Sequence, residues 1–212
     1  KWGSDGMNNL TPLWLLKFLP NMLSCHVTIV HDAQAPSNTI TCAEASSHLA
    51  IGEAFRTIAR GAADICICGG AESKINPMGL MRQELLRRLS TARNDDPARA
   101  CRPFDAARDG TVISEGGGLL ILEELEHAKA RGAKIYCEVV GFGASSNAHS
   151  WSEPHPEGRG ITLAIRKALD DAGLQPDNIG LIGAFGSGTV PHDRSEARGI
   201  RAVFGDRTAK IP

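Results

Sequence analysis

Apolar positions follow two patterns along the chain. Five short runs are nearly continuous in apolar or small side chains: 39–43, 64–72, 118–125, 135–141 and 179–185. Continuity without alternation predicts strands covered on both faces. Between them, other segments repeat at helical spacing. In 45–59, Leu49, Ile51, Ala54, Phe55 and Ile58 fall roughly on one face. In 160–172, Ile161, Ala164, Ile165, Ala168 and Leu169 keep the i, i+3, i+4 spacing, and Gly173 supplies a stop. A further helix is predicted over 193–203, ended by Gly205. Strands alternating with helices predict an α/β layered fold with a largely parallel sheet. The polar, Gly-rich segment 89–117 reads as an ordered loop with functional or packing duties.

Composition narrows this picture. The 212 residues fit one large domain or two small ones and can bury a sizeable core. The 23 glycines cluster between apolar runs and mark tight turns. Lys and Arg total 23 against 24 Asp and Glu, and a net charge of −1 gives no global reason to expect nucleic acid. The six cysteines do not form the paired CxxC groups of a zinc site, and several sit in apolar runs as small hydrophobes. His26, His31, His149 and His155 lack ligand spacing, so no metal is expected. The cysteine usage and the lack of a signal-peptide pattern in KWGSDGMNN fit a reducing cytoplasm. The best apolar candidate for a membrane span, 13–23, is broken by Lys17 and Pro20, so no span is expected.

Three stretches carry candidate chemistry. The first is Thr39-Ile-Thr-Cys-Ala-Glu-Ala-Ser-Ser-His48, a strand turning straight into a helix. Backbone N–H groups and the helix dipole favour negative charge there, and enzymes use that place for an activated nucleophile. The same residues also make an ordinary βα turn with Ser46 or Glu44 near the cap. The second is Arg102-Pro-Phe-Asp-Ala-Ala-Arg-Asp-Gly110, in which Asp105, Arg108 and Asp109 can form a charge-paired loop or simply a stabilised surface loop. The third is Gly183-Ala-Phe-Gly-Ser-Gly-Thr189, a Gly-rich turn able to hold a phosphate or a pantetheine arm.

In this order the stretches resemble the β-ketoacyl–acyl-carrier-protein synthases, the elongating condensing enzymes of the thiolase superfamily. Pro36-Ser, 40–52, Gly69-Gly-Ala-Glu72, Leu89-Ser-Thr, Arg102-Pro-Phe-Asp, Arg108-Asp-Gly, Leu122-Glu-Glu, Val140-Gly-Phe-Gly, Asp171-Ala-Gly, Asp193 and Glu196 stand where the family pattern has them. The block 102–132 is the most specific part. The resemblance implies a thiolase-like α/β/α/β/α layered fold, incomplete in this chain at both ends. Residues 1–133 would then be the rest of the N-terminal thiolase-like half, and 134–212 the start of the C-terminal half. It also implies a homodimer or a heterodimer with an active ketosynthase, an acyl-carrier protein as partner, and no cofactor.

Site residues follow from the same resemblance. Aligning Ile51-Gly52 without gaps puts Glu44 at the position of the nucleophilic Cys. Cys42 lies two residues upstream, about 6–7 Å back along a strand. The first active-site His is replaced by Phe185, and His192 stands seven residues further on, too far to take its place without a rebuilt turn. Ser187 and Thr189 match the hydroxyl pair that touches pantetheine. Arg82, Arg87 and Arg88, with Arg93, make a basic cluster able to attract an acidic carrier protein, or simply a solvated helix face. The apolar segment 7–23 corresponds to a region near the dimer interface and acyl tunnel, or is plain core.

A carboxylate does not store an acyl group as a thiolate does, because its product would be a labile anhydride. An anionic Glu44 would also repel an incoming malonyl carboxylate. Phe185 removes a donor that would stabilise an enolate, a loss of about 10²–10³ in rate. Three readings stay open. The first is a non-condensing, chain-length-factor-like subunit of fatty-acid or polyketide synthesis that shapes an acyl pocket. The second is an active 3-oxoacyl synthase, acyltransferase or malonyl decarboxylase with a shifted site at Cys42, Glu44 or another group. The third is an acyl- or lipid-binding protein without catalysis.

Overall fold

The computed structural model describes Asp5, Gly6, Asn8 and residues 11–212, the side chain of Lys17 excepted. Lys1–Ser4, at the start of the expected 1–133 division, lie outside the described residues, as do Met7, Asn9 and Leu10 of the apolar segment. Six α-helices follow in order among the described residues: α1 (Met22–His31), α2 (Ser46–Ala59), α3 (Pro77–Leu85), α4 (Leu125–Ala130), α5 (Arg159–Ala172) and α6 (Val190–Phe204). Two strands, β1 (Ile65–Ser73) and β2 (Glu115–Glu123), pair in a two-stranded sheet. The predicted helices 45–59, 160–172 and 193–203 thus correspond to α2, α5 and α6.

The sheet departs from expectation. The Glu124 N–H donates to the Asp64 carbonyl at 2.9 Å, the Cys68 thiol donates to the Leu120 carbonyl at 3.7 Å, and the Ser73 hydroxyl donates to the Glu115 carboxylate. Residue numbers rise on one strand as they fall on the other, so the pair is antiparallel, not parallel. Leu119, Leu120 and Ile121 are exposed rather than covered on both faces. The apolar runs 39–43, 135–141 and 179–185 form no ladder among the described residues. An apolar run sets strand propensity, but a strand exists only where a partner backbone takes its N–H and C=O groups.

The chain folds as two compact units. Residues 1–70 and 119–134 make the first. Here α2 turns Gly52, Ala54 and Thr57 inward, and Cys68 and Ala128 are also buried. Gly70 of β1 lies so close to α2 that a Cβ there would meet Ser47 Oγ at 2.3 Å. The segment 32–42 runs over this unit, tied by Ser24–Thr39 at 2.8 Å and Asn38–Glu53 at 3.4 Å.

Residues 71–118 and 135–212 make the second unit. Its core is the contact of α5 with α6, where Leu169, Ile200 and Phe204 are buried. The helices approach at two glycines. Gly158 has a φ of 66° and lies where a Cβ would meet the Ser195 carbonyl at 2.3 Å, so the N-cap of α5 demands glycine on both counts. Thr162 Oγ1 donates to the Gly199 carbonyl at 3.3 Å across the same contact. The loop 86–114 is ordered through a Leu89–Thr111 bridge, with the Ser90 N–H donating to the Thr111 carbonyl at 2.9 Å.

Candidate functional site

One candidate site belongs to the first unit. A single 3-10 turn, Ala43–Ala45, leads into α2. Ala43 has a φ of 45°, left-handed backbone that costs a residue with a Cβ about 1–2 kcal/mol. Ser46 holds the turn against that cost: its hydroxyl accepts the Cys42 N–H and donates to the Ala43 carbonyl, both at 2.7 Å. The strained residue is thus followed by Glu44, exposed and just ahead of α2, where the helix dipole favours an anion. Cys42 is exposed at the head of the same turn, in irregular backbone rather than within a paired strand.

A separate candidate stretch is the Gly-rich turn of the second unit, held from α6. Glu196 accepts the Phe185 N–H at 2.7 Å and the Gly186 N–H at 2.9 Å. Asp193, 1% exposed, accepts the Gly188 N–H at 3.0 Å, the Ser187 hydroxyl at 3.1 Å and the Phe104 N–H at 2.8 Å. Arg108 Nε lies 3.2 Å from Asp193 Oδ2 as a buried ion pair, out of line for a hydrogen bond. Asp193 and Glu196 are three residues apart, so they share one face of α6 and hold two ends of one turn. The turn also lies against segment 102–111: a Cβ on Gly188 would meet the Gly110 carbonyl oxygen at 2.5 Å, and Gly188 has a φ of 79°. The Phe185 side chain is exposed.

Hydroxyls continue this network. Ser187 Oγ and Thr189 Oγ1 are 3.0 Å apart, and Thr189 Oγ1 is 2.9 Å from His192 Nδ1. The structure therefore brings Phe185, Ser187 and Thr189 together, with His192 joined to the hydroxyl pair. His192 was passed over in the sequence because it does not stand at the family's His position. Its three-residue spacing from Thr189 across a helix start was the available signal.

The charges of 102–110 do not pair as one loop. Asp105 accepts the Ala107 N–H at 2.7 Å and has Arg102 at 3.9 Å, but Arg108 turns to Asp193. Asp109 faces the preceding loop, accepting the Ala92 N–H at 2.8 Å, the Ser90 hydroxyl at 2.7 Å and the Thr91 N–H at 2.9 Å. These bonds, the Ala92 N–H foremost, hold its carboxyl below the usual range. Of the basic cluster, Arg82 and Arg87 are exposed, whereas half-buried Arg88 donates to the Ser152 carbonyl at 3.1 Å. No group of three or more acidic, His or Cys side chains could hold a metal ion among the described residues. No helix among them is long and apolar enough to cross a membrane.

Residues 3–128 match the β-ketoacyl synthase N-terminal domain and 136–212 match its C-terminal domain. The chain belongs to the β-ketoacyl synthase family. It is 42% identical over 200 residues to the mitochondrial 3-oxoacyl-[acyl-carrier-protein] synthase of Arabidopsis thaliana, covering 94% of this chain and 43% of that protein. It is 43% identical over 206 residues to 3-oxoacyl-[acyl-carrier-protein] synthase 2 of Synechocystis, covering 97% and 49%. The chain thus spans about half the length of these relatives. Among solved structures, a type II polyketide ketosynthase in complex with its acyl-carrier protein superposes with a TM-score of 0.93 at 33% identity, over 97% of this chain and 50% of that one. A ketosynthase in complex with its chain length factor from Xenorhabdus doucetiae gives 0.76 at 33%, over 87% and 42%. The β-ketoacyl synthase chain thus carries part of the thiolase-like layered fold of these neighbours.

Proposed function

We propose that this β-ketoacyl synthase relative is a non-condensing, chain-length-factor-like subunit of fatty-acid or polyketide synthesis. It shapes an acyl pocket and pairs with an active ketosynthase served by an acyl-carrier protein. Residues 1–133 and 134–212 supply parts of its N- and C-terminal thiolase-like halves. The observation that carries this reading is Glu44 on the strained turn ahead of α2, the place a family nucleophile would occupy. A carboxylate there forms no thioester, and it repels a malonyl carboxylate. Phe185 at the first His position adds an apolar ring in place of a donor. Solved complexes of a ketosynthase with its chain length factor support the pairing.

The test is a thiol-directed acyl mimic followed by intact-mass analysis, on the protein alone and co-expressed with a Cys-containing ketosynthase. The expected result is co-purification, with the label on the ketosynthase alone. Specific labelling at Cys42 would instead favour an acyltransferase with a shifted site, for which the exposure of Cys42 is the supporting observation. Failure to co-purify would leave acyl binding without a catalytic partner.

A further inference from the structure

The solvent face of α6 carries charge of one sign. Arg194, Arg198 and Arg201 are exposed at i, i+4 and i+7, so they form one stripe about 10 Å long. The carboxylates of the same helix, Asp193 and Glu196, are buried and turned inward to hold the Gly-rich turn, so neither offsets the stripe. Arg198 donates to the Glu157 carboxylate at 2.6 Å and to the Pro156 carbonyl at 3.1 Å. Arg194 and Arg201 have no side-chain hydrogen bond or ion pair among the described residues. Ala197 and Ala202, also exposed, lie between and beside the arginines. This arrangement does not serve the helix itself, because like charges three and four residues apart repel.

We infer that the outer face of α6 is a docking surface for an acidic helix of a partner protein, whose carboxylates repeat at i, i+4 and i+7 opposite the three guanidiniums. The planar guanidinium fork matches a carboxylate in two parallel hydrogen bonds. The small side chains of Ala197 and Ala202 let a second helix come within the usual axial separation of about 8–10 Å. The same face lacks the Trp, Phe and Leu side chains that seat a helix in a bilayer, and it has no aromatic ring on which a base could stack. The surface lies on a different helix from Arg82 of α3, and it does not depend on the role of Glu44.

Two synthetic Ala-rich helical peptides of identical composition test this against the full chain by fluorescence anisotropy. One carries its Glu residues at i, i+4 and i+7, and the other spreads the same residues around the helix. The same-face peptide is expected to bind about fivefold tighter at low salt, a preference that fades at high salt because the pairs lie at the surface. Arg194→Gln with Arg201→Gln should abolish the preference, whereas Arg82→Gln with Arg87→Gln should leave it. Arg198 is kept, since it holds the 156–157 segment. The urea midpoint of the Arg194/Arg201 variant should be no lower than that of the unaltered chain, as the removal of like charges predicts. A lower midpoint would assign the stripe to the fold and overturn the docking role. Equal binding of the two peptides, or a preference lost only with Arg82 and Arg87, overturns the inference. So does binding of duplex DNA or phosphatidylserine vesicles that the Arg194/Arg201 variant loses while neither peptide is preferred.

Discussion

The carboxylate of Glu196 bridges two successive backbone N–H groups, those of Phe185 and Gly186, at 2.7 and 2.9 Å. A side chain on α6 thereby fixes the peptide that carries Phe185. Hydrogen bonds to a charged group are worth about 1.5–3 kcal/mol each, with sums that fall short of additive. Glu196→Ala is expected to destabilise the chain by about 2–4 kcal/mol in urea unfolding, and Glu196→Gln by less, because it keeps one oxygen. Hydrogen exchange at the Phe185 and Gly186 amides should quicken in the Ala variant. Unchanged exchange there would mean that the turn is held by other contacts.

Asp193 and Arg108 make the costlier pairing. Asp193 is 1% exposed, and Arg108 Nε lies 3.2 Å away. Removing one partner of a buried pair leaves an uncompensated charge, a loss of about 3–5 kcal/mol. Asp193→Ala is expected to fall in that range by urea midpoint. The double variant Asp193→Ala with Arg108→Met should recover part of the loss, since it removes the stranded guanidinium. A double variant no more stable than Asp193→Ala would show that the backbone N–H bonds of Asp193, not its ion pair, carry its contribution.

These two carboxylates also show where the sequence was legible. The helical periods of 45–59 and 160–172 are local, so they found α2 and α5 nearly to the residue. The start of α2 was legible for the same reason, but the strand read ahead of it at 39–43 was not found among the described residues. Strand pairing is not local: 39–43, 135–141 and 179–185 have the composition of strands but form no ladder among the described residues, and β1 meets β2 antiparallel. The partner of Arg108 was likewise beyond local reading. Asp105 and Asp109 stand beside it in sequence, yet its ion pair is with Asp193, brought close only by the tertiary fold. The Asp193/Glu196 spacing was visible, but what that face of α6 would meet was not.

Acid should weaken the fold through surface carboxylates. Arg131 hydrogen-bonds Glu123 at 2.7 and 2.6 Å, and with His127 at 2.6 Å it outweighs partial burial and holds the Glu123 carboxyl down to about 2. Its folded pKa lies below the unfolded value, so its stabilisation is full above about 4.5 and is lost as the pH falls toward about 2. Asp109 and Glu124, whose carboxyls are held low by backbone N–H groups, act in the same direction. Glu123→Gln is expected to flatten the acid limb of a stability–pH curve measured by urea midpoint, and high salt should blunt the same limb because the pair lies at the surface. An acid limb identical in the variant would assign acid sensitivity to the other carboxylates.

Exposed Arg82 and Arg87 can steer an acidic partner, whereas Arg88 spends hydrogen bonding on the Ser152 carbonyl. Charge reversal at Arg82 and Arg87 together is expected to slow association with an acyl-carrier protein about tenfold at low salt, with little effect on dissociation. Stopped-flow fluorescence at two salt concentrations reads both rates. Arg88→Glu should instead lower thermal stability. Association rates that ignore the Arg82/Arg87 reversal would return these residues to plain solvated surface, Arg82 on α3 and Arg87 just past its end.

The chemistry of the turn ahead of α2 can be tested by restoring sulfur to it. The Ser46 clasp uses the Cys42 N–H and the Ala43 carbonyl, so it survives a change of the Glu44 side chain. A thiol placed at an exposed helix start has its thiolate favoured by the same dipole that favours the Glu44 anion. Glu44→Cys is therefore expected to gain one alkylation site that reacts faster than Cys42 with iodoacetamide, mapped by peptide mass analysis. It should also accept an acyl group from an acyl-thioester donor. On the proposed non-condensing reading, condensation is expected to be absent from Glu44→Cys too, because Phe185 stands in the Gly-rich turn in place of a donor worth about 10²–10³ in rate. Adding Phe185→His to Glu44→Cys supplies an imidazole on the Glu196-held peptide. Labelling of the introduced thiol no faster than that of Cys42 would remove the nucleophile position from Glu44, and with it the main support for the proposed non-condensing role.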